Sequence, residues 1–399
     1  MQLLLVSNGH GEDLSAALLG RELRQRGVKL TAVPLVGDGE AYRRAELAVA
    51  GRTRSYSTGG LGYTSFASRL SEILTGQVLY LLQRSLRLWR EARRADGLVV
   101  VGDVIPVLLA WLSGRPVVTY LVAYSSHYEG KLRLPWPCGA CLASRRFRAV
   151  FSRDALSAAD LSQQLARPVQ FLGNPFMETV LAAPAAASAT AVLLLPGSRL
   201  PEAAHNLELM LQLLERLPVE FAHQRLRAAL VPELAAAAVQ SLAAARGWLS
   251  EAVPAAAAGP TADPGLLISR GGLRLELHWQ GFAALLKGSQ VVVSMAGTAT
   301  EQAVGLGKPV LQLAGAGPQF TAGFAEAQRR LLGPAVHCAE GAVGASSTLD
   351  ASAGLLLTLL QLPEQTLAGY RLEGERRLGQ RGGISQMAEA IVGAFSNQR

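Results

Sequence analysis

Two turns contain the residues whose types and spacing are best suited to chemistry. The turn Gly-Ser-Arg at 197–199 follows an apolar run at 191–195, and the turn Gly-Thr-Ala at 297–299 follows a second run at 291–293. A helical pattern comes after each turn, so backbone N–H groups and the positive end of a helix dipole would point at one place. Arg199 adds a planar cation that can bind phosphate oxygens through two N–H groups. The two turns therefore predict an anion site that suits a diphosphate.

Glu301 lies in the first turn of the helix that follows 297–299. A carboxylate there can accept hydrogen bonds from sugar hydroxyls, as an acidic residue does for a ribose, although the helix dipole alone also favours an acid at this position. Gln319 and Phe320 come after the next predicted strand, where they either line the donor or belong to an ordinary loop. The candidate donor-binding residues are Gly197, Ser198, Arg199, Gly297, Thr298, Ala299, Glu301, Gln319 and Phe320.

The elements that must position these residues alternate between strands and helices. Residues 291–293 form a β-branched run typical of a buried parallel strand, and Lys308-Pro309 ends the following helix before a strand at 310–313. This βαβ pattern recurs along the chain and predicts an α/β protein with doubly wound sheets. The alanine-rich region 218–270 gives no clear strand signal. Further predicted strands lie at 3–7, 29–35, 97–101, 116–121, 150–152, 169–172 and 191–195.

Three segments of the second half resemble a known family. They are LLPGSRLPEA at 194–203, MAGTATEQAVGLGKPV at 295–310 and GPQFTAGFAEAQRRLLG at 317–333. The first two resemble the C-terminal half of lipid-A-disaccharide synthase. With the third, the chain resembles more closely the lipid-A-disaccharide synthase-related proteins of the GT-B glycosyltransferase clan. The turn Gly-Asn-Pro at 173–175 is similar to a turn of the same family.

The resemblance implies a GT-B fold, with two Rossmann-like doubly wound domains facing an interdomain cleft. Residues 1–180 would form the N-terminal acceptor domain, and residues 191–380 the C-terminal domain that binds the nucleotide sugar. The run 181–190, rich in Ala, Pro and Ser, is typical of a linker. Residues 381–399 would form a helix that crosses back to the N-terminal domain.

The implied reaction moves a hexose or an N-acetylhexosamine from a UDP-sugar to a lipid or lipid-linked acceptor, with inversion. Fixed N–H groups and Arg199 would stabilise the departing diphosphate, as preorganised donors do in such sites. The resemblance therefore implies no bound metal and no cofactor besides the UDP-sugar, which is a substrate.

The transfer also needs a base that accepts the proton of the acceptor hydroxyl. The loop at 8–13 offers His10, whose imidazole suits this task near neutral pH, with Glu12 and Asp13 beside it. Lipid-A-disaccharide synthase reads more like SxGExSGD in this loop, so the choice among the three stays open. Asp103 is a fourth candidate, since it matches an acidic position of the synthase; it is equally suited to cap a helix.

The charge of the chain favours an anionic partner. Its 399 residues include 38 Lys and Arg against 30 Asp and Glu, a formal net charge of +8. A nucleotide diphosphate or an anionic membrane fits this charge, and no recognisable nucleic-acid module accompanies it. The amphipathic segment 66–94 predicts either a helix on such a membrane or an ordinary core-packed helix with a solvated basic face. The arginines of its C-terminal part are Arg84, Arg87, Arg90, Arg93 and Arg94.

The expected location is the cytoplasm, with peripheral attachment to the inner face of the cytoplasmic membrane. We recognise no signal peptide and no apolar span of about 20 residues. Three cysteines are too few for a disulfide framework, and the one pair, Cys138 and Cys141, cannot fill a zinc site.

Two alternative functions remain. A UDP-sugar 2-epimerase would share the fold, although the loop at 8–13 differs from the GTRPE-like start of that family. A non-catalytic nucleotide- or lipid-binding protein would keep the donor site and lack the base.

Overall fold

The computed structural model describes residues 1–51, 53, 77–186, 189–251, 265–315 and 322–396. The chain forms two compact units. The first unit contains Met1–Glu178 and Gly379–Arg399, and the second contains Thr179–Leu378. Each unit is built around its own sheet.

A six-stranded sheet forms the centre of the first unit. Helices cover both of its faces, so its strands are apolar on both sides, as is usual for parallel sheets. Leu4 and Val6 point into one core layer, while Leu3 and Leu5 point into the other. The strands are β1 (Gln2–Ser7), β2 (Lys29–Pro34), β3 (Ala48–Val49), β4 (Gly97–Gly102), β5 (Val117–Leu121) and β6 (Phe147–Ser152).

All neighbouring strands of this sheet are parallel. Their order is β3-β2-β1-β4-β5-β6, so the direction of winding reverses between β1 and β4. In open α/β sheets, ligands bind in the crevice that forms at the carboxyl ends of the strands at such a reversal. The ends of β1 and β4 are therefore the place to look for a site in the first unit.

Helices pack on both faces of this sheet. They are α1 (His10–Gln25), α2 (Glu40–Arg44), α3 (Gln77–Ala92), α4 (Val104–Leu112), α5 (Ser126–Glu129), α6 (Cys138–Ala143), α7 (Ala155–Leu165) and α8 (Met177–Leu181), the last running on into the second unit. Leu88 of α3, Val107 of α4 and Leu142 of α6 belong to one core layer. Leu19 of α1 and Tyr42 of α2 belong to the other.

The sheet of the second unit has eight strands in the order β14-β13-β12-β7-β8-β11-β10-β9. The pairs β9–β10 and β10–β11 are antiparallel, and the other pairs are parallel. The winding reverses between β7 and β12. The strands are β7 (Thr190–Leu195), β8 (Leu226–Ala229), β9 (Leu249–Glu251), β10 (Leu266–Arg270), β11 (Leu273–His278), β12 (Ser289–Ser294), β13 (Val310–Gln312) and β14 (Val336–Cys338).

The helices of the second unit surround its sheet, and a last helix returns to the first unit. Those of the second unit are α9 (Glu202–Leu214), α10 (Ala236–Ala245), α11 (Phe282–Gly288), α12 (Thr298–Gly305), α13 (Ala322–Leu332), α14 (Ser346–Leu360) and α15 (Glu364–Leu378). The last helix, α16 (Gly383–Ser396), belongs to the first unit. Its Met387 and Ile391 are fully buried in the core layer that also contains α1.

Three sequence-based expectations differ from the structure. The predicted strand at 169–172 is wrong: Gln170 makes only an isolated bridge to Phe151, because the chain turns away at Gly173. The predicted loop at 8–13 is shorter, since α1 already begins at His10. The region 218–270, for which no strands were predicted, contains β8, β9 and β10.

Candidate functional site

The two glycine turns of the second unit lie against each other. The last residues of β7 and β12, Leu195 and Ser294, are partners in the parallel register. Gly197, two residues past β7, has a φ of +103°. A Cβ at this position would lie 2.9 Å from the carbonyl oxygen of Met295, which is closer than side chains approach backbone. Glycine is therefore required at 197 both for its conformation and for the contact between the turns.

Side-chain hydrogen bonds fix the shape of both turns. The side-chain amide of Asn206 on α9 donates to the carbonyl of Pro196 at 2.8 Å. The hydroxyl of Thr300 on α12 donates to the carbonyl of Ala296 at 2.7 Å. Because this hydroxyl has one proton, the hydroxyl of Ser294, 2.7 Å away, donates to Thr300. The turns are therefore held in place before any ligand arrives.

The N-terminus of α12 begins at the reversal of the sheet. The N–H groups of Thr300 and Glu301 donate to the carbonyl of Gly297 at 3.0 and 3.2 Å. The N–H groups of Thr298 and Ala299 come before them, where a helix leaves its first donors pointing outward. Gly297 is exposed, and Thr298 and Ala299 are half-buried. This geometry suits the binding of an anion.

The structure places the six predicted turn residues on these two adjacent turns. Ser198 and Arg199 are exposed on the first turn. Glu301 is half-buried, one turn into α12. The other two candidates, Gln319 and Phe320, lie outside the described residues.

In the first unit, Asn8 and Asp103 connect the carboxyl ends of β1 and β4. The side-chain amide of Asn8 donates to both carboxylate oxygens of Asp103, at 3.1 Å each. Asp103 is also the N-cap of α4 and accepts the N–H of Ile105 at 2.9 Å. Burial raises the pKa of Asp103, and the hydrogen bonds from Ile105 and Asn8 offset part of that rise. The helix-capping interpretation of Asp103 is therefore correct, and the carboxylate also lies at the reversal of the sheet.

Asp13 lies in the interior of the first unit rather than on its surface. Its carboxylate accepts the hydroxyl proton of Ser7 at 2.5 Å, and Ser7 is 2.5 Å from the phenol oxygen of Tyr42. Burial raises the pKa of Asp13 to about 7, and the charge of Glu12 contributes to the rise. Burial also raises the pKa of Tyr42. Asp13 is therefore held against Ser7, the last residue of β1.

Glu12 and His10 occupy the first turn of α1. The carboxylate of Glu12 lies beside Gly9. A Cβ on Gly9 would be only 2.6 Å from the Oε2 atom of Glu12. His10 is the first residue of α1. Its backbone therefore follows β1 directly at the reversal of the sheet.

A polar group at the ends of β5 and β6 is missing from the sequence-based candidates. It contains Ser125 and His127, which follow β5, and Asp154, which follows β6. The hydroxyl of Ser125 donates to Asp154 at 2.8 Å, and His127 lies 3.8 Å from the same carboxylate. Asn8 is also absent from the candidates that the sequence predicts. The partners of each pair, Asn8 with Asp103 and His127 with Asp154, are distant in sequence. Only the assignment of neighbouring strands could have paired them.

Cys138 and Cys141 are buried in the first unit, and both are reduced. Burial raises the pKa of the Cys138 thiol to about 12 and also raises that of Cys141. Protonated, buried thiols are poor nucleophiles and poor metal ligands. Within the described part of the chain, no group of three or more His, Cys, Asp and Glu side chains is arranged to hold a metal ion.

One arginine of the segment 66–94, Arg84, does not face solvent. It is buried and donates to the carbonyls of Pro34 at 2.9 Å and Ala50 at 2.7 Å. Its predicted place on a basic surface is therefore wrong, because its guanidinium binds one carbonyl at the end of β2 and one just after β3. None of the helices in the described ranges combines the length and the apolar character that a membrane span needs.

No protein-family model and no curated protein sequence matches the chain. Several solved structures resemble its fold. The calicheamicin glycosyltransferase CalG4 matches with a TM-score of 0.58 and 14% identity, over 100% of this chain and 98% of its own. The spinosyn rhamnosyltransferase SpnG, solved with thymidine diphosphate, matches with a TM-score of 0.57 and 15% identity, over 98% of this chain and 100% of its own. The UDP-GlcNAc 2-epimerase of Neisseria meningitidis, bound to UDP-GlcNAc, matches with a TM-score of 0.53 and 14% identity, over 100% of both chains.

The architecture is that of the GT-B enzymes. The prediction of two Rossmann-like doubly wound domains is therefore confirmed. At 14–15% identity these likenesses establish a shared fold, whereas the chemistry depends on the residues of the site. The narrower resemblance to lipid-A-disaccharide synthase stays a prediction.

Proposed function

We propose that this protein is a glycosyltransferase that moves a hexose or an N-acetylhexosamine from a UDP-sugar to a lipid or lipid-linked acceptor, with inversion. The observation that carries the proposal is the contact between the turns at 197–199 and 297–299, at the N-terminus of α12. The structures that resemble its fold include glycosyltransferases and an epimerase, and the epimerase is bound to UDP-GlcNAc.

The donor side of the proposed reaction needs groups that stabilise a departing diphosphate. The N–H groups of Thr298 and Ala299 and the guanidinium of Arg199 are such groups, and the turns that hold them are fixed by side-chain hydrogen bonds. In this proposal the carboxylate of Glu301 accepts hydrogen bonds from the ribose hydroxyls. The protein donors take over the role of a divalent metal, and the UDP-sugar is the only small molecule required.

The acceptor side needs a base at the carboxyl edge of the first sheet. Of the four predicted candidates, Asp13 is buried against Ser7, Asp103 caps α4, and Glu12 folds back towards Gly9. His10, at the start of α1, keeps its predicted role as a candidate. The reversal of the sheet between β1 and β4 favours this edge as the acceptor site.

A membrane surface at the inner face of the cytoplasmic membrane fits one side of the first unit. On α3, Leu79, Leu82 and Leu86 are 61%, 58% and 52% exposed at helical spacing. Trp136, just before α6, is 90% exposed. Helices α3 and α6 pack on the same core layer. Exposed apolar side chains near Arg90 would insert at the interface, and each arginine close to anionic lipid would add about 1 kcal/mol.

A UDP-sugar 2-epimerase is the second candidate, since one such enzyme shares the fold over the whole length of both chains. A product assay separates the two. We would incubate the protein with UDP-hexoses and UDP-N-acetylhexosamines, with and without membrane lipid extract. A glycosyltransferase releases UDP only when the lipid is present, whereas an epimerase converts the UDP-sugar to its 2-epimer without lipid. Nucleotide binding with neither product would instead support a non-catalytic binding protein.

Replacing Arg199 by Ala provides the variant for this assay. Loss of a cationic donor to the leaving group should lower kcat/KM roughly 100-fold. Arg376, an exposed arginine of the same unit, supplies the matched control, and Arg376→Ala should leave turnover unchanged. Equal turnover of both variants would contradict the proposed donor site.

A further inference from the structure

We propose that His127, backed by Asp154, is the base that accepts the proton of the acceptor hydroxyl. This inference rests on the proposed glycosyl transfer. It adds a site at the ends of β5 and β6 to the predicted candidates on the loops after β1 and β4.

The loop that carries His127 lies at the carboxyl edge of the first sheet. It follows β5, and α5 forms part of it. The phenol oxygen of Tyr124, in this loop, accepts the N–H of Val104 at 3.0 Å. Val104 is the first residue of α4 and follows Asp103. The loop therefore reaches the end of β4, which is one of the two strands at the reversal of the winding.

Side-chain hydrogen bonds tie this loop to α7. The hydroxyl of Ser125 donates to Asp154 at 2.8 Å, and the N–H of Ser126 donates to the hydroxyl oxygen of Ser157, also at 2.8 Å. The hydroxyl of Ser126 donates to Asp160 at 3.0 Å. These bonds are made by the two residues directly before His127, and they fix the backbone that carries it. A catalytic group held in this way needs little reorganisation during the reaction.

A buried carboxylate lies beside the imidazole. The Nε2 atom of His127 is 3.8 Å from Oδ1 of Asp154, and the two side chains are 17% and 1% exposed. Three further donors hold the carboxylate: the hydroxyl of Ser125 and the N–H and hydroxyl of Ser157. A carboxylate in this position stabilises an imidazolium, and catalytic hydrogen bonds are often long in structures without substrate. Charged groups on the elements that hold the loop include Asp160 on α7, Asp103 at the start of α4, and Arg153, which precedes Asp154 and donates to the carbonyl of Val122 at 3.0 Å.

The proposed step balances as follows. The acceptor oxygen forms a bond to the anomeric carbon of the donor while the bond from that carbon to the diphosphate oxygen breaks. UDP leaves with the electron pair of the broken bond. The hydroxyl proton passes to the imidazole of His127, and Asp154 stabilises the imidazolium until the proton is released to water.

Two variants and two measurements test this role. His127→Gln should lower kcat by 100-fold or more, as loss of a general base does, while the UDP affinity stays within twofold. Asp154→Asn keeps a residue that caps α7 well and removes the negative charge. In that variant, the midpoint of the His127 imidazole titration, followed by NMR with labelled histidine, should fall. His223→Gln, at an exposed histidine of the second unit, is the matched control and should leave both measurements unchanged.

The competing outcome is equally specific. Full kcat in His127→Gln, with loss of kcat in His10→Gln, would overturn the proposal and assign the base to the loop after β1. An unchanged imidazole midpoint in Asp154→Asn would also overturn it. Failure of the proposed function shows separately, as wild-type protein that neither binds UDP nor transfers a sugar. The NMR comparison would then still decide whether the two side chains are coupled.

Discussion

The side chain of Gly197 is a single hydrogen atom, and this allows the two turns of the second unit to touch. Its φ of +103° and the 2.9 Å between a Cβ at this position and the carbonyl oxygen of Met295 are two independent reasons for glycine. The residue types of the turn predict it from the sequence alone. The requirement for glycine at 197 became visible only from the position of the other turn.

Gly197→Ala should therefore weaken nucleotide binding. Strain of about 1–3 kcal/mol must be relieved by moving one turn, which would lower the UDP affinity roughly tenfold or more. Gly354→Ala, in α14, meets nothing within 4 Å and should leave the affinity unchanged. Calorimetric titration of both variants with UDP checks this, and equal affinities would mean that the contact between the turns does not shape the site.

The second residue-level prediction concerns Asp13. Burial raises its pKa from 3.8 to about 7 in the folded protein. The unfolded chain therefore loses this proton first as the pH rises. The contribution of protonated Asp13 to the free energy of unfolding is fully present below about pH 4. It is lost as the pH rises through about 7, and the total loss is about 4 kcal/mol at most.

Asp13→Asn should remove this loss, since the amide has no proton to give up in that range. We subtract the free energy of unfolding of the wild-type protein from that of the variant at each pH. This difference should be larger at pH 8 than at pH 5. Urea unfolding at the two pH values measures the difference. A gain that is the same at both pH values would show that Asp13 does not ionise in this window.

Helix α3 shows where helical spacing predicts well and where it does not. The pattern of its apolar residues predicted a helix, and the described part at 77–92 is one. The same pattern could not show that Arg84 is buried, because the carbonyls it binds, those of Pro34 and Ala50, lie much earlier in the chain. A surface role for this helix has to be tested on residues that are exposed.

Leu82→Ser combined with Leu86→Ser should reduce cosedimentation with vesicles of phosphatidylglycerol and phosphatidylcholine. Both leucines are exposed, so the melting temperature should change little. Leu372→Ser, at an equally exposed leucine of the second unit, is the control and should leave binding unchanged. Vesicle binding that is the same in all three proteins would contradict the membrane proposal for α3.

At the level of the whole molecule, the strands with apolar runs on both faces were the easiest elements to predict. β7 and β12 belong to this class, and their ends gave the donor candidates. β8, β9 and β10 were missed because short, partly polar segments such as β9 carry little strand signal. The pairing of Asn8 with Asp103, and of His127 with Asp154, depends on strand order, which the residues alone do not reveal.

The two ends of the chain meet in the first unit. Ile391 of α16 is fully buried in the layer that contains α1. Ile391→Ala should lower the free energy of unfolding by about 2–5 kcal/mol, as expected for a large-to-small core change. Glu389→Ala, at an exposed position of the same helix, is the control. Chemical denaturation compares them, and equal stabilities would show that α16 adds little to this core.

The central claim is that the two turns and α12 form a UDP site. The most direct measurement is a calorimetric titration of the wild-type protein and of Glu301→Ala with UDP. Glu364, an acid in the first turn of α15 in the same unit, supplies the control variant Glu364→Ala. We expect micromolar binding by the wild-type protein and the control, and binding weaker by roughly tenfold in Glu301→Ala, since a charged hydrogen bond to the ribose is worth about 1.5–3 kcal/mol. Absence of UDP binding by the folded wild-type protein would contradict the proposed donor site and the function built on it.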